Sequence, residues 1–334
     1  MQLVNRRALR VTGAVLCGVV ALASGGNIHG YADREPVHLL WRDPGEVSAK
    51  DLFWGPGNPE RVPEAPFTFI EEDTGGTKPK VRLVDARGVK WSAKFDHDSR
   101  TGREVPAEIA ASRIMWALGY LVEESYLVDE GVIEGIGRLE RAHVAISPDG
   151  RFRGARFERR PSDVERLGRR WTLDENPFRG SKELSGLVIV AALLNNWDFR
   201  SGNTAVLRVT SDDAQEDWYL LSDLGTAFGR TNGGMFRRLS RWNVEHFEKD
   251  AFISRADNTG VEFHYRPEGK ARARVPIDHA RWFAELASKL SLAQLEQAFV
   301  AAGATDHEVR GFSTRLGAKI AELHQVTVGG RSGR

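Results

Sequence analysis

The chain of 334 residues holds a single cysteine, Cys17. One sulfur excludes an intrachain disulfide and a cysteine zinc site, and its place in an apolar stretch near the start leaves no thiol elsewhere for catalysis. No charge of one sign dominates either, since 47 Lys and Arg stand against 46 Asp and Glu with no long single-sign block. An electrostatic grip on nucleic acid or on an anionic membrane is therefore not expected. The apolar run near the start, Val11 to Ala23, is only about 13 residues, short of the roughly 20 a spanning helix needs. His97, His143, His246, His264 and His279 show no paired metal-ligand spacing, and no G-x-S-x-G elbow occurs. What is present is an ordinary globular composition, 41% apolar and 28% charged. It suits a soluble body of about two domains, or one large two-lobed domain, at roughly 150 residues each.

The first residues carry Arg6, Arg7 and Arg10 with no acid, then the apolar run, then Ala21-Leu22-Ala23 before Ser24. These are the three parts of an export signal, with cleavage expected after Ala23. The expected location is exported, periplasmic or secreted, with no stable membrane span after cleavage. An uncleaved anchor is the alternative, and retention inside the cell is a third reading. Leu16 stands where a lipoprotein signal wants a small residue before Cys17.

Residues 24–66 are punctuated by proline and glycine without a sustained period, which reads as an irregular lead-in, with Trp41, Phe53 and Trp54 available to dock it. Short β-type runs follow at Phe67 to Glu71, Val81 to Asp85 and Val89 to Phe95, the last two joined by the turn Asp85-Ala86-Arg87-Gly88. Pro106 and Gly119 bracket a helix from about Val105 to Leu118, and Tyr120 to Val128 returns to strand. These elements make residues 67–130 a small antiparallel β lobe with one helix.

Residues 138–170 read as a basic, irregular middle. Ser181 to Asn195 is apolar almost all round and so a buried helix, followed by strands at Thr204 to Val209 and Trp218 to Ser222. Helices are expected at about Phe236 to Phe247, Ile277 to Leu290, Leu292 to Ala301 and His307 to Leu323, which makes residues 131–325 a larger, mainly helical lobe. A frayed tail closes the chain over 326–334. The fold class expected is α+β.

Chemistry concentrates after the buried helix. Asn196-Trp197-Asp198-Phe199-Arg200-Ser201-Gly202-Asn203 leads into one strand, and Ser222-Asp223-Leu224-Gly225 closes the next. Two carboxylates and a carboxamide on loops suit a hard cation such as Mg²⁺, which takes one or two protein carboxylates and completes its shell with phosphate and water.

At this point the sequence resembles the protein-kinase-like superfamily, nearest its HipA-type and phosphatidylinositol-kinase-like branches. Asp198, Asn203 and Asp223 match the order and spacing of the catalytic Asp, the metal-binding Asn and the D-x-G Asp. Thr74-Gly75-Gly76-Thr77-Lys78-Pro79-Lys80 looks like the G-G-x-x-P-K loop, Lys94 like the third-strand lysine, and Glu108 like its acidic partner, with Glu104 the competitor.

The resemblance implies a two-lobed kinase-like fold and a phosphotransferase that uses ATP and Mg²⁺ on a hydroxyl of an unidentified protein, lipid or sugar. It assigns Asp198, Lys94 and Glu108 to catalysis. Gly75, Gly76, Thr77, Lys80 and Lys94 go to the nucleotide, and Asn203 and Asp223 to the metal. Arg200 departs from the branch pattern, which has His there, and Leu224 replaces the Phe of D-F-G.

Simpler readings exist for each residue. Gly75-Gly76 is also a plain hairpin turn, Lys94 a solvated strand residue and Glu108 an acid favoured near a helix start. Asp198 and Asp223 are common turn and cap residues, and the basic, aromatic stretch Phe236 to Trp242 is either a substrate-facing surface or a solvated helix face. A second class of function also stands: an exported compartment holds little ATP, so the chain is alternatively a kinase-fold binding or scaffold module without turnover.

Overall fold

A computed structural model of the chain describes residues 36–76, 78–96, 103–231 and 239–328. The export signal with Cys17, Thr77, His97, the stretch 236–238 and the tail from 329 lie outside the described residues.

Five strands close into a barrel. They are β1 (Phe67–Glu72), β2 (Lys80–Val84), β3 (Lys90–Phe95), β4 (Ser125–Glu134) and β5 (Arg151–Arg159), in the order β1-β2-β3-β5-β4. All neighbours are antiparallel except β1 and β4, whose parallel pairing of Phe67 with Ile133 closes the ring. The small antiparallel sheet expected is therefore a closed barrel, and its chain runs past the boundary at residue 130 through β5. The strand expected over Tyr120 to Val128 begins instead at Ser125, while Tyr120 makes an isolated bridge to Trp41.

Period-two alternation explains the barrel's two faces. Trp91, Ala93 and Phe95 of β3 point inward to meet Phe67, Val81, Leu83, Tyr126, Phe152 and Phe157. Ser92 and Lys94 point outward, yet both are buried, because helix α1 (Glu104–Ala117) lies over that face. Packed against β4 and β5 on one side and against a later helix on the other, α1 is buried on every face, including Glu104, Glu108 and Arg113.

The register then sets a row of charge. Lys80 of β2 pairs with Lys94 of β3, and Lys94 pairs with Arg156 of β5, so three basic residues stand side by side across three strands.

The lead-in is built into the body rather than hung from it. Leu39, Leu40, Val47 and Leu52 join the main core, Trp41 Nε1 donates to Leu118 O at 2.7 Å, and Gln294 Nε2 donates to Val47 O and Lys50 O at 2.8 Å each. Gly119 allows this close approach: it sits at φ +90°, and a Cβ there would lie 2.3 Å from Arg42 O.

The rest of the chain packs around α2 (Lys182–Leu193), whose N-terminus is capped by Ser181 accepting from Leu184 N at 3.0 Å. Beside it stand α3 (Val244–Lys249), α4 (Ile277–Ala287), α5 (Leu292–Ala301) and α6 (Asp306–Val328). Two sheets were not expected in full. β6 (Val164–Leu167) lies in the supposedly irregular middle and joins β7 (Thr204–Thr210) and β8 (Gln215–Leu221). β9 (Ile253–Asp257), β10 (Gly260–Phe263) and β11 (Arg274–Pro276) interrupt the run expected to be purely helical. No described helix is long and apolar enough to cross a membrane.

Candidate active site

The site forms where the outer face of β3 meets α1 and the loops that follow α2 and β8. Lys94 Nζ contacts Glu108 directly and lies 3.4 Å from Glu104 Oε2, so both candidate acids reach it and Glu108 holds it more closely. Burial opposes the Lys94 ammonium, but Glu108 and then Asp223 outweigh it and hold its pKa above the ordinary lysine value.

The same charges act on Asp223. Burial pushes its carboxyl up, yet Lys94, the Gly225 N–H at 3.1 Å and a hydrogen bond with Glu108 hold it below the ordinary range. Glu108 moves the other way, raised by burial against the pull of Arg156 and Lys94. The two neighbouring carboxyls are thus driven apart, Asp223 downward and Glu108 upward. Lysine from the barrel and aspartate from the D-L-G turn meet in one electrostatic unit.

The D-L-G turn packs tightly on α1. A Cβ on Gly225 would lie 3.1 Å from Glu104 Cβ and from Glu108 Oε1, so any larger residue would push the turn off the helix.

The loop after α2 is positioned by the way the helix ends. Asn196 N donates to Ala191 O at 2.9 Å and Asn195 N to Ala192 O at 3.2 Å, with Asn195 at φ +54°. This is a Schellman stop with Asn in the left-handed position that Gly usually fills. The Asn195 side chain is saturated: Nδ2 donates to Gly229 O at 2.6 Å and Asp250 Oδ2 at 3.2 Å, and Oδ1 accepts from Lys319 Nζ at 2.7 Å.

Asn196 and Thr226, which carried no signal in the sequence, tie this loop to the D-L-G turn. Asn196 Nδ2 donates to Asp223 O at 3.3 Å, its Oδ1 accepts from the Thr226 hydroxyl, and Asp198 N lies 3.3 Å from that hydroxyl. Tyr265 completes the tie by donating its phenol to Asn196 O at 2.7 Å. Asn203 Nδ2 donates to Asp198 O at 2.7 Å, and Asn203 O accepts from Ser222 N at 2.9 Å and Asp223 N at 3.3 Å. Asp198, Asn203 and Asp223 are therefore held in one connected backbone frame.

Arg200 takes both oxygens of Asp198, Nε to Oδ1 at 2.8 Å and Nη2 to Oδ2 at 3.1 Å. Arg200 thus covers the carboxylate expected to act as the base.

The glycine turn between β1 and β2 is held at its start, where Gly75 N donates to Asp73 Oδ1 at 2.9 Å. Gly76 sits at φ +75° with open space where a Cβ would project. Lys80 is less central than its motif suggests: its Nζ pairs with Asp73 Oδ2 at 3.2 Å. Lys78 instead reaches the cluster, 2.9 Å from Glu104 Oε1.

Arg156 escaped sequence reasoning, while Lys78 and Arg241 stood there only as members of longer stretches with no role of their own. Arg156 Nε lies 3.0 Å from Glu108 Oε2 and its Nη2 contacts Glu158. Burial opposes the Glu158 carboxylate, but Arg156 and Arg160 hold it down to about 2. Arg241 is buried against Glu104 beside Trp197, so this part of the basic stretch after D-L-G is no solvated face.

Among the described residues no group of three or more His, Cys, Asp or Glu forms a self-contained metal cage. With Nδ2 engaged, Asn203 keeps Oδ1 as a ligand atom, and Asp223 supplies a charged oxygen. The pair fits a Mg²⁺ that brings phosphate and water with it.

The charged cluster thus lies where the outer face of the barrel meets α1 and the D-L-G turn. No protein-family model matches the chain, and no curated protein matches it in sequence. Among solved structures it is similar to a Helicobacter pylori proinflammatory kinase, CtkA, at 12% identity and TM-score 0.47, covering 78% of this chain and 97% of that one. It is also similar to the Golgi casein kinase at 10% identity and TM-score 0.44, covering 88% and 86%. A structure of the Golgi casein kinase with Mn/ADP bound matches at 11% identity and TM-score 0.40, covering 87% and 83%.

Proposed function

We propose that the chain is an atypical kinase, an ATP- and Mg²⁺-dependent phosphotransferase that moves a γ-phosphoryl group to a hydroxyl of a protein, lipid head group or sugar. The observation that carries this reading is the convergence of Lys94, Glu108 and Asp223, from three separate segments, on one buried electrostatic unit. Lys94 would hold α- and β-phosphate oxygens while Glu108 fixes its ammonium, and the Gly75-Gly76 turn would bring backbone N–H groups toward the phosphates without a Cβ in the way. Asn203 and Asp223 would hold Mg²⁺, which supplies charge neutralisation at the phosphates. Asp198 would orient the acceptor hydroxyl and take its proton. Positioning and charge account for most of the rate in phosphoryl transfer, and this set supplies both.

Purified protein given Mg²⁺ and ATP tests the reading directly. Nucleotide binding with transfer of the γ-phosphate, to an acceptor or to water, is the expected result, and absence of both defeats it.

The second reading, a kinase-fold binding module without turnover, is favoured by one observation: the Arg200 guanidinium grips both oxygens of Asp198. If Arg200 restrains a working base, Arg200→Ala is expected to raise turnover about tenfold, the scale of one charge-assisted hydrogen bond, with nucleotide affinity little changed. Stabilisation by Mg²⁺-ATP with no turnover in either the wild type or Arg200→Ala selects the binding module. Export remains part of the proposal, and N-terminal sequencing of the mature protein from fractionated cells tests it.

A further inference from the structure

Four segments meet at the side chain of Glu104, the first residue of α1. Lys78 from the β1–β2 turn lies 2.9 Å from Oε1, Lys94 from β3 lies 3.4 Å from Oε2, and the Arg241 guanidinium, from the segment after D-L-G, contacts Oε1. Three cations thus surround one carboxylate. Among the described residues the other acids nearby make no hydrogen bond to Lys78 or Arg241: Asp96 Oδ1 accepts from the Glu104 and Val105 N–H groups, at 2.7 and 3.1 Å, and acts on the two cations only through its charge, as Asp223 does on Lys78, while Glu108 is shared by Lys94 and Arg156.

Arg241 shows the imbalance most clearly. Its side chain is only 10% exposed, and its Nε makes no hydrogen bond among the described residues. A buried guanidinium N–H without an acceptor is costly unless another state of the protein supplies one. Lys78 is under the same pressure, since burial and the charges of Arg241 and Lys94 push its pKa down.

We propose that Glu104 is an internal stand-in for a phosphate group, and that Lys78 and Arg241 are further phosphate-binding residues, which exchange its carboxylate for the outer phosphates of a bound polyphosphate. This rests on the nucleotide reading above and deepens it. Lys94 has Glu108 as its closer partner, so Glu104 chiefly serves Lys78 and Arg241, both on Oε1, whereas a phosphate offers three terminal oxygens and more charge. The helix start stays in place during the exchange, because Asp96 holds it through the backbone while only the Glu104 side chain turns away. Arg241 also lies 5.8 Å from the ring of Trp197, the neighbour of Asp198, so it approaches from the acceptor side and Lys94 from the barrel side.

The test is calorimetric titration with a non-hydrolysable ATP analogue plus Mg²⁺, with AMP, and with inorganic tripolyphosphate. Glu104→Gln is expected to bind the ATP analogue and tripolyphosphate about tenfold more tightly. Lys78→Gln and Arg241→Gln are expected to bind them about tenfold more weakly, with AMP affinity unchanged in all three and part of the loss recovered in Arg241→Lys. Weaker or unaltered binding in Glu104→Gln overturns the stand-in while leaving the kinase reading intact. So does undiminished analogue binding in both cation variants, which decides the matter even if Glu104→Gln fails to fold. A wild type that binds tripolyphosphate but not the ATP analogue, with these same shifts, keeps the phosphate cradle and removes the nucleotide. A wild type that binds neither overturns both.

Discussion

Asp223→Asn is expected to reduce Mg²⁺-dependent phosphoryl transfer by at least about 10²–10³-fold, a far larger effect than the modest fall in melting temperature expected beside it. Asparagine keeps the shape of the side chain and an oxygen for the Gly225 N–H, but it removes the charge that Lys94 holds ionised. Lys94 still has Glu108 beside it, so the fold loses no essential ion pair. Because folding lowers the Asp223 pKa from its ordinary 3.8, the stability it contributes is complete above that value and is lost as pH falls below it. That contribution is complete in the wild type near neutrality, so the variant lacks it there and thermal unfolding separates its loss from the loss of chemistry. The check pairs a γ-phosphate transfer assay with thermal unfolding. Unaltered turnover in Asp223→Asn would remove Asp223 from the metal site.

Lys319→Ala is expected to cost about 3 kcal/mol of stability. Lys319, on α6, is fully buried. Its Nζ donates to Leu193 O at 3.0 Å and Asn195 Oδ1 at 2.7 Å, at the point where α2 ends and the loop of Asp198 begins. Alanine would leave a cavity and strand both acceptors.

Burial, and then repulsion from Arg315, pull the Lys319 pKa well below its ordinary value. The unfolded chain therefore binds a proton that the folded one holds weakly, and stability gains a rising component with pH up to the ordinary lysine value near 10.4. Lys319→Met fills most of the volume, so it should cost less than alanine and flatten that rise. Chemical denaturation at pH 7 and pH 9.5, wild type against methionine, measures the difference. Equal slopes for the two proteins would show that Lys319 titrates normally. Since Asn195 also anchors Gly229 and Asp250, both variants should loosen the segment that delivers Arg241.

The legible parts of the site were those whose residues lie close together in the chain. Asp198 and Asn203 share one loop, Asp223 and Gly225 share one turn, and Lys94 sits on a strand whose apolar alternation is unbroken. β5 was hidden for a local reason. Gly154 adopts φ +64°, and the pairing with β4 steps from Ala155 to Arg153 across it, so the inward residues Phe152, Ala155 and Phe157 do not alternate cleanly. Without β5, Arg156 has no place beside Lys94, because the pairing that brings them together is the β3–β5 ladder. The sheet of β9, β10 and β11 was lost because its strands span only three to five residues, too short for a periodic signal.

Strand alternation, the buried apolar helix and the two carboxylate loops with their ligand types are properties of adjacent residues, and the amino-acid order by itself determined them. Contacts between distant segments were decided only by the tertiary structure. The parallel closure of β1 on β4, the place of Arg156 beside Lys94 and the approach of Arg241 to Glu104 all join positions far apart in the chain. Burial and charge pairing act through space, so no spacing along the chain encodes them.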